Sequence, residues 1–260
     1  MSEFFTSVHL KEELCMGCIN CIKRCPTQAI RVRNGKAVIT KEFCIDCGEC
    51  IRICPHHAKE AIYDPLEIMK QYEYTVALPA PSLYGQFNHL DDINIVLTAL
   101  KKMGFNDVYE VSGAAELVSE ISRNYVQNHR DKWPVISTAC PTVVRLIQVR
   151  FPMQKTGLPR EKIGILFISP CPAKVTAVKS PIGIDHSEID GVLAMKEIYP
   201  KLLPFMKDSI DQVENLSTSG RIGISWGATG GEAGGLLSEN YLAADGIENV
   251  IRVLEDLEDS

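Results

Sequence analysis

Apolar positions along this chain fall into two kinds of run. Continuous runs of strand length recur at Tyr74-Thr-Val-Ala-Leu78, Val108-Tyr-Glu-Val111, Trp133-Pro-Val-Ile-Ser137, Ile163-Gly-Ile-Leu-Phe-Ile168 and Arg221-Ile-Gly-Ile-Ser225. Runs of this kind, roughly four to eight residues long and bounded by turn residues, predict buried strands. Between them the spacing changes to the helical period. Ile93, Val96, Leu97 and Leu100 share a face and Gly104 closes that helix. A second helix is expected over Ala114–Asn128 with Leu117, Ile121 and Tyr125 on one side, and a third through Val143, Val144, Ile147 and Val149. Pro79, Pro81 and Gly85 predict a strand-to-helix turn, and Val250-Ile-Arg-Val-Leu254 a late strand running into a helix. Strands alternating with helices predict an α/β domain on a mostly parallel sheet, residues 72–260. Residues 1–60 read differently, as a small α+β domain with a hairpin formed by Ala29-Ile-Arg-Val-Arg33, Gly35 and Ala37-Val-Ile39. A polar bridge over residues 58–71 follows, in which Pro65 after Asp64 fits a helix start.

The first domain is defined by its cysteines. Of ten in the chain, eight lie within Cys15–Cys54 and the other two are Cys140 and Cys171. A disulfide framework would staple the whole chain, whereas clustered Cys-x-x-Cys groups point to metal or iron–sulfur ligation in a reducing compartment. The run Cys15-x-x-Cys18-x-x-Cys21-x-x-x-Cys25-Pro26 returns as Cys44-x-x-Cys47-x-x-Cys50-x-x-x-Cys54-Pro55, an internal repeat whose period is 29 residues, Cys15 to Cys44. This is the two-cluster signature in which the fourth cysteine of each run serves the other cluster. The expected 4Fe–4S ligands are therefore Cys15, Cys18, Cys21 and Cys54 for one cluster, and Cys44, Cys47, Cys50 and Cys25 for the second. Zinc, the alternative for cysteine pairs, fits two complete copies of this run poorly. Gly17 and Gly48 are expected in tight loops whose N–H groups face the cluster sulfurs, and His56 and His57 at the surface or packed on a cluster.

Composition narrows the function classes. Hydrophobic residues make up 45% and charged residues 23%, as in ordinary folded proteins. With 33 acidic and 27 basic side chains the net charge is -6, and no Lys/Arg stripe marks a nucleic-acid surface. The opening residues lack a secretory pattern, and no run reaches the roughly 18 apolar residues that span a bilayer. The expectation is a cytoplasmic protein with no nucleic-acid or membrane partner.

In a parallel sheet, working residues gather at the C-terminal ends of strands. Cys140, in Thr138-Ala-Cys140-Pro141, Cys171, in Ser169-Pro170-Cys171-Pro172, and the turn Trp226-Gly-Ala-Thr-Gly230-Gly231 each follow an expected strand, which predicts one shared site. Each cysteine alone reads equally well as a core residue. The glycines suit either a phosphate cradle or tight turns beside a bulky prosthetic group, and no Lys-Ser/Thr pair follows to make a nucleotide loop. No motif places His89, His129 or His186 as a base for either cysteine.

Taken in order, Ser137-Thr-Ala-Cys140-Pro141, Ser169-Pro-Cys171-Pro-Ala-Lys174 and Gly227-Ala-Thr-Gly-Gly231-Glu232 resemble the three signatures of the catalytic domain of FeFe-hydrogenases, behind that family's usual two-cluster relay. The resemblance covers roughly residues 8–258. It implies an H-cluster, a 4Fe–4S cubane joined through a cysteine to a two-iron unit with CO and cyanide ligands. Cys140 and Cys171 would be two of its four cubane ligands and Lys174 a donor to a cyanide. Pro79 and Ala80 would line the pocket, Ser169 and Pro170 would form its wall, and Thr229, Gly230 and Gly231 would complete the cofactor surroundings. Ala139 stands where typical members carry a proton-passing cysteine, and Ser169 replaces a methionine. Both changes resemble the sensory branch, so fast hydrogen production is not expected.

The family's remaining two ligands lie in a cysteine-rich segment near the end of its catalytic domain, and this sequence has no cysteine after Cys171. The expectation is a truncated portion of a longer protein, with a relative that has lost the H-cluster as the alternative. An H-cluster is then expected only in a longer or assisted form. The implied function is iron–sulfur electron transfer of a sensory-type hydrogenase. The alternative is a non-catalytic iron–sulfur binding and electron-transfer module, and the bland reading is a ferredoxin domain fused to an unrelated α/β domain. The implied partners are a redox protein with a basic docking face and, in a longer parent, a downstream signalling domain.

Overall fold

The structure, a computed structural model, describes residues 5–132, 135, 157–181 and 183–259. Its regular elements in chain order are β1 (Val8–Leu10), α1 (Asn20–Lys23), β2 (Ile30–Arg33), β3 (Lys36–Ile39), α2 (Glu49–Arg52), β4 (Lys59–Ala61), β5 (Tyr74–Pro79), α3 (Ile93–Lys102), β6 (Asp107–Val108), α4 (Val111–Asn128), β7 (Ile163–Ser169), α5 (Pro172–Lys179), β8 (Gly191–Ala194), α6 (Met195–Ser209), α7 (Arg221–Ser225), α8 (Gly231–Gly234) and α9 (Ile247–Glu258). The chain divides into two compact units. Unit one gathers the described residues of Met1–Asp64, Pro170–Ser187 and Asp245–Ser260, and unit two those of Pro65–Ser169 and Glu188–Ala244.

Unit one is built on the 29-residue repeat. Strands β1 and β3, helices α1 and α2, and strands β2 and β4 are equivalent under that shift. The strands pair across the repeats: β1 with β4 antiparallel, Leu10 opposite Lys59, and β2 with β3 antiparallel, Ile30 opposite Ile39. Each half thus completes the other's sheet, and the two share one core. The backbone repeats too. Gly17 and Asp46 are equivalent and both left-handed, at φ 67° and 51°, as are Gln28 and His57 at 54° and 50°. The α+β character expected for this region is observed.

Unit two carries a four-stranded sheet in the order β6-β5-β7-β8 with all three pairings parallel. The central strand β7 is buried along its whole length, as expected for an unbroken apolar run with a neighbour on each side. Gly164 leaves room for the Tyr72 ring, which a Cβ would meet at 2.4 Å. Val96, Leu97, Ala99 and Leu100 of α3 and Ile198 and Leu202 of α6 are buried where these two helices pack. The mostly parallel α/β fold is therefore observed in the larger region.

Four local expectations are corrected. Arg221–Ser225 is a helix rather than a strand. Its Ile-Gly-Ile alternation imitates a strand, but a Cβ on Gly223 would lie 1.9 Å from the carbonyl oxygen of Ser112, so the glycine serves close helix packing. Val250–Leu254 lies inside α9, where Ile247, Val250, Ile251 and Leu254 follow the helical period despite their β-branched content. The strand expected through Val111 ends at Val108, because Glu110 turns out of it to begin α4 three residues ahead of the expected Ala114. Leu117, Ile121 and Tyr125 of α4 are exposed, and the buried positions of that helix are Ser112, Ala114, Ala115 and Ser119. The strand at Trp133–Ser137, save Val135, and the helix through Val149 lie outside the described residues.

Candidate metal centre

The eight cysteines of unit one are presented by two equivalent loop–helix pieces. In each, a single 3-10 turn ends on the first cysteine, whose N–H reaches back to Glu12 (3.2 Å) or Lys41 (3.1 Å). The third cysteine lies in α1 or α2, and the fourth caps a turn whose following alanine donates its N–H to the sulfur: Ala29 to Cys25 Sγ at 3.2 Å, Ala58 to Cys54 Sγ at 3.3 Å. Ala37 N–H likewise donates to Cys15 Sγ at 3.4 Å. N–H donors aimed at sulfur favour thiolate over thiol. Ile30, Ala37 and Ile39 pack with Cys15, Cys21, Cys25, Cys50 and Cys54 in one apolar cluster, so the hairpin backs the cysteines as expected.

The sulfurs influence one another across the repeat. Burial raises the Cys21 thiol, with the charges of Cys18 and Cys54 adding to it. Burial pushes Cys44 up to about 11, and Cys25 contributes there and at Cys47. Cys50 is pushed up to about 12, again by burial first, with Cys44, Cys47 and Cys21 as neighbours. Cys15 is the exception. Burial raises it, but the N–H groups of Ala37 and Gly17 and the charges of Lys59 and Lys36 leave it below its usual value. Cys54 thus bears on Cys21 of the first run, and Cys25 on Cys44 and Cys47 of the second.

This donor set fits two cubanes. Cys25, Cys44, Cys47 and Cys50 line one pocket together with Ile30 and Asp46. The buried ammonium of Lys59 has no hydrogen-bond partner among the described residues and acts on the Cys15, Cys21 and Cys50 sulfurs. None of the nine described cysteines is in a disulfide. Among the described residues, no three Cys, His, Asp or Glu side chains meet as ligands of one single ion.

The remaining expected site residues fall in both units. Cys171 and Lys174 belong to unit one. Cys171 caps α5 and Lys174 donates its backbone N–H to the Cys171 carbonyl at 3.1 Å, and both residues are half-buried. Pro79 and Ser169 belong to unit two and are buried at the C-terminal ends of β5 and β7, where Ala80 N–H reaches Ile168 O at 3.0 Å. Thr229 is exposed, Gly230 is left-handed at φ 77°, and Gly231 is so close to Ser225 that a Cβ would lie 1.7 Å from its carbonyl oxygen. The glycine-rich turn follows a helix, not a strand end, and Gly227 packs on the Pro81–Ser82 backbone. Ala139 and Cys140 lie outside the described residues.

Residues that motif reading passed over also belong here. Asp46 is buried and accepts from Ser7 N–H (2.8 Å), Val8 N–H (3.1 Å) and the Thr176 hydroxyl, which ties the second cysteine loop to β1 and α5. Pro172 accepts from the Ser7 hydroxyl at 2.9 Å. Comparing the two copies of the repeat would have flagged Asp46 and Lys59, since they stand where the first copy has Gly17 and Ile30.

The fold and the paired cysteine runs define an iron–sulfur domain joined to an α/β region. Residues 7–55 match the family described as the 4Fe-4S dicluster domain, which carries two such clusters. Residues 73–158 match the family described as the iron only hydrogenase large subunit, C-terminal domain. Over these two segments the chain is related to iron–sulfur proteins and hydrogenase large subunits. No curated protein matches it. Similar solved structures include a variant of the FeFe-hydrogenase of Chlamydomonas reinhardtii, 14% identical over 61% of this chain and 50% of that one, with a TM-score of 0.37. An apo variant of the same enzyme is 15% identical over 61% and 51%, with a TM-score of 0.33. The chain spans about half the length of those proteins. No helix among the described residues is long and apolar enough to cross a membrane.

Proposed function

We propose that this chain is an iron–sulfur electron-transfer module, with one cluster on Cys15, Cys18, Cys21 and Cys54 and the other on Cys44, Cys47, Cys50 and Cys25. Residues 1–60 form the electron-carrying domain and residues 72–260 a hydrogenase-related body. The observation that carries this reading is the doubled cysteine run folded around one apolar cluster, with Cys54 bearing on Cys21 and Cys25 on Cys44 and Cys47. N–H donors on Cys15, Cys25 and Cys54 and the buried Lys59 ammonium support it, because they offset the negative charge that four thiolates bring to each cluster. The module exchanges electrons with a redox partner protein.

The match of residues 73–158 supports a second reading, in which a longer or assisted form holds an H-cluster through Cys140 and Cys171 and turns over hydrogen slowly, in a sensory role. Lys174 would then donate to the two-iron unit, with Pro79, Ser169, Thr229, Gly230 and Gly231 around it and Ala139 offering no proton.

Iron content per chain after anaerobic reconstitution tests both. About 8 irons, two cubanes, are expected. About 12 would place a third cluster on Cys140 and Cys171 and favour the second reading, while about 4 or fewer would overturn the ligand assignment.

A further inference from the structure

The two halves of unit one are alike in backbone and in cysteines but differ in buried charge. The 29-residue shift carries Ile30 onto Lys59 and Gly17 onto Asp46. Ile30 is 2% exposed and Lys59 4%, so a lysine occupies a core position that the first copy fills with an aliphatic side chain. An ammonium offers three donors and no acceptor, and leaving it buried without a partner is expensive. Lys59 Nζ has no hydrogen-bond partner among the described residues. Its place in β4, opposite Leu10, sets it beside the apolar cluster that holds Cys15 and Cys21. The acceptors that such a group lacks are what cluster sulfurs supply.

Asp46 breaks the repeat in the opposite sense. It is 1% exposed, lies between Cys44 and Cys47 in sequence, and has its Oδ1 3.6 Å from Cys44 Sγ. The N–H groups of Ser7 and Val8 and the Thr176 hydroxyl hold the carboxylate in place, so it does not swing away when the neighbouring charge changes. Its Gly17 counterpart brings no side chain to Cys15, Cys18 and Cys21.

We propose that Lys59 and Asp46 set the two clusters at different reduction potentials, higher on the Cys15, Cys18, Cys21 and Cys54 side and lower on the Cys44, Cys47, Cys50 and Cys25 side. The inference rests on the electron-transfer reading above. A buried positive charge favours the form with the added electron, a buried negative charge disfavours it, and low local screening makes both effects larger than on a surface. Lys59 lies in β4 beside the apolar cluster whose buried members include Cys15 and Cys21, whereas Asp46 Oδ1 is 3.6 Å from Cys44 Sγ of the second set. One electron from a reduced partner protein, taken up without bond making or breaking, is thereby biased toward the Cys15 side, leaving the other side to pass electrons on at lower potential.

The test is a dithionite titration of the reconstituted 260-residue chain followed by electron paramagnetic resonance, with iron counted in each sample. Wild type should show two one-electron waves. Lys59→Met should move the upper wave down by at least a tenfold change in the oxidised-to-reduced ratio, about 59 mV, and Lys59→Arg should keep it in place. Asp46→Asn should move the lower wave up, so the gap narrows in both charge-removing variants. A single merged wave in wild type overturns the proposal, as does an unchanged gap in Lys59→Met and Asp46→Asn at about 8 irons per chain. Should Lys59→Met fail to keep its iron, Asp46→Asn decides alone. Wild type with fewer irons sinks the underlying reading instead, which separates the two failures.

Discussion

Gly17 stands at φ 67°, and a Cβ built there would lie 2.3 Å from the Gly35 carbonyl oxygen. Gly48 has nearly the same backbone, φ 76°, yet its Cβ would meet only Pro172 Cγ at 3.5 Å, an ordinary contact. The two glycines should therefore respond differently to alanine. Gly48→Ala carries the left-handed penalty alone, about 1–2 kcal/mol, and should keep its iron. Gly17→Ala adds a clash with backbone that cannot rotate aside, and should lose iron along with several degrees of thermal midpoint. Equal midpoints and equal iron in the two variants would refute this account of the loop. Asp46 fills the position equivalent to Gly17 at φ 51°, so the same bend is met once by a residue without a side chain and once by one whose side chain is fully engaged.

Tyr84 gives a residue-scale pH dependence in unit two. Burial, followed by the charge of Glu110, raises its phenol well above the usual 10.0, and its hydroxyl donates to Glu110 Oε1 at 3.3 Å. In the unfolded chain the phenol loses its proton near pH 10, while in the native protein it is still protonated there. The native state then holds one more proton than the unfolded state, so stability is intact below about pH 10 and falls as pH rises beyond it. The slope reaches about 1.4 kcal/mol per pH unit. Urea unfolding of Tyr84→Phe beside wild type should show the variant gaining on wild type above about pH 10 and tracking it below. Parallel curves throughout would mean that the phenol titrates freely.

At the scale of elements, Thr176 joins Pro172 and Lys179 in holding α5 within unit one. Its hydroxyl donates to Asp46 and accepts from Ser7 N–H at 3.2 Å, so one side chain links a helix, a strand and a cysteine loop. Thr176→Val keeps the shape but removes the hydroxyl donor to the Asp46 carboxylate, a bond to a charged group that is worth about 1.5–3 kcal/mol, while Ser7 N–H keeps its bond to Asp46. Faster hydrogen exchange over residues 172–179 is expected, with Thr176→Ser restoring protection. Unchanged exchange in the valine variant would show that the other contacts suffice to hold the helix. This link was not legible in the sequence, because a threonine, a serine and an aspartate so far apart carry no shared pattern. What was legible rested on local rules. The cysteine spacing announced its chemistry, and the unbroken apolar run of Ile163–Ser169 announced a central strand. Arg221–Ser225 and Val250–Leu254 were misread because short β-branched runs suit either element until tertiary packing decides. Lys59 and Asp46 were passed over for a different reason: the motif fixes cysteines, whereas their meaning lies in burial.

At the scale of the whole molecule, unit one is discontinuous in sequence, so its cofactors should stabilise segments far from the cysteine runs. Residues 170–187 and 245–259 belong to the same compact unit as the repeat. Asp46 holds Thr176 of α5, Asp64 pairs with Lys179 at 2.7 Å, and Arg24 of the first cysteine loop pairs with Glu248 of α9. Exposed ion pairs contribute little, about 0–1 kcal/mol each, so the distal segments depend mainly on an intact repeat rather than on their own contacts. A domain this small, with seven of its eight repeat thiols buried or half-buried, draws much of its folding free energy from what those thiols bind. Removing iron from the reconstituted chain with a ferrous chelator should therefore raise hydrogen exchange in three places together: residues 7–62, α5 and α9. The parallel strands β5, β7 and β8 have a core of their own, with Leu78, Leu166, Ile168 and Leu193 fully buried, and should keep their protection. Loss of protection confined to residues 7–62 would mean that α5 and α9 are supported independently of the clusters. Collapse of β5 and β7 as well would mean that the two units unfold as one.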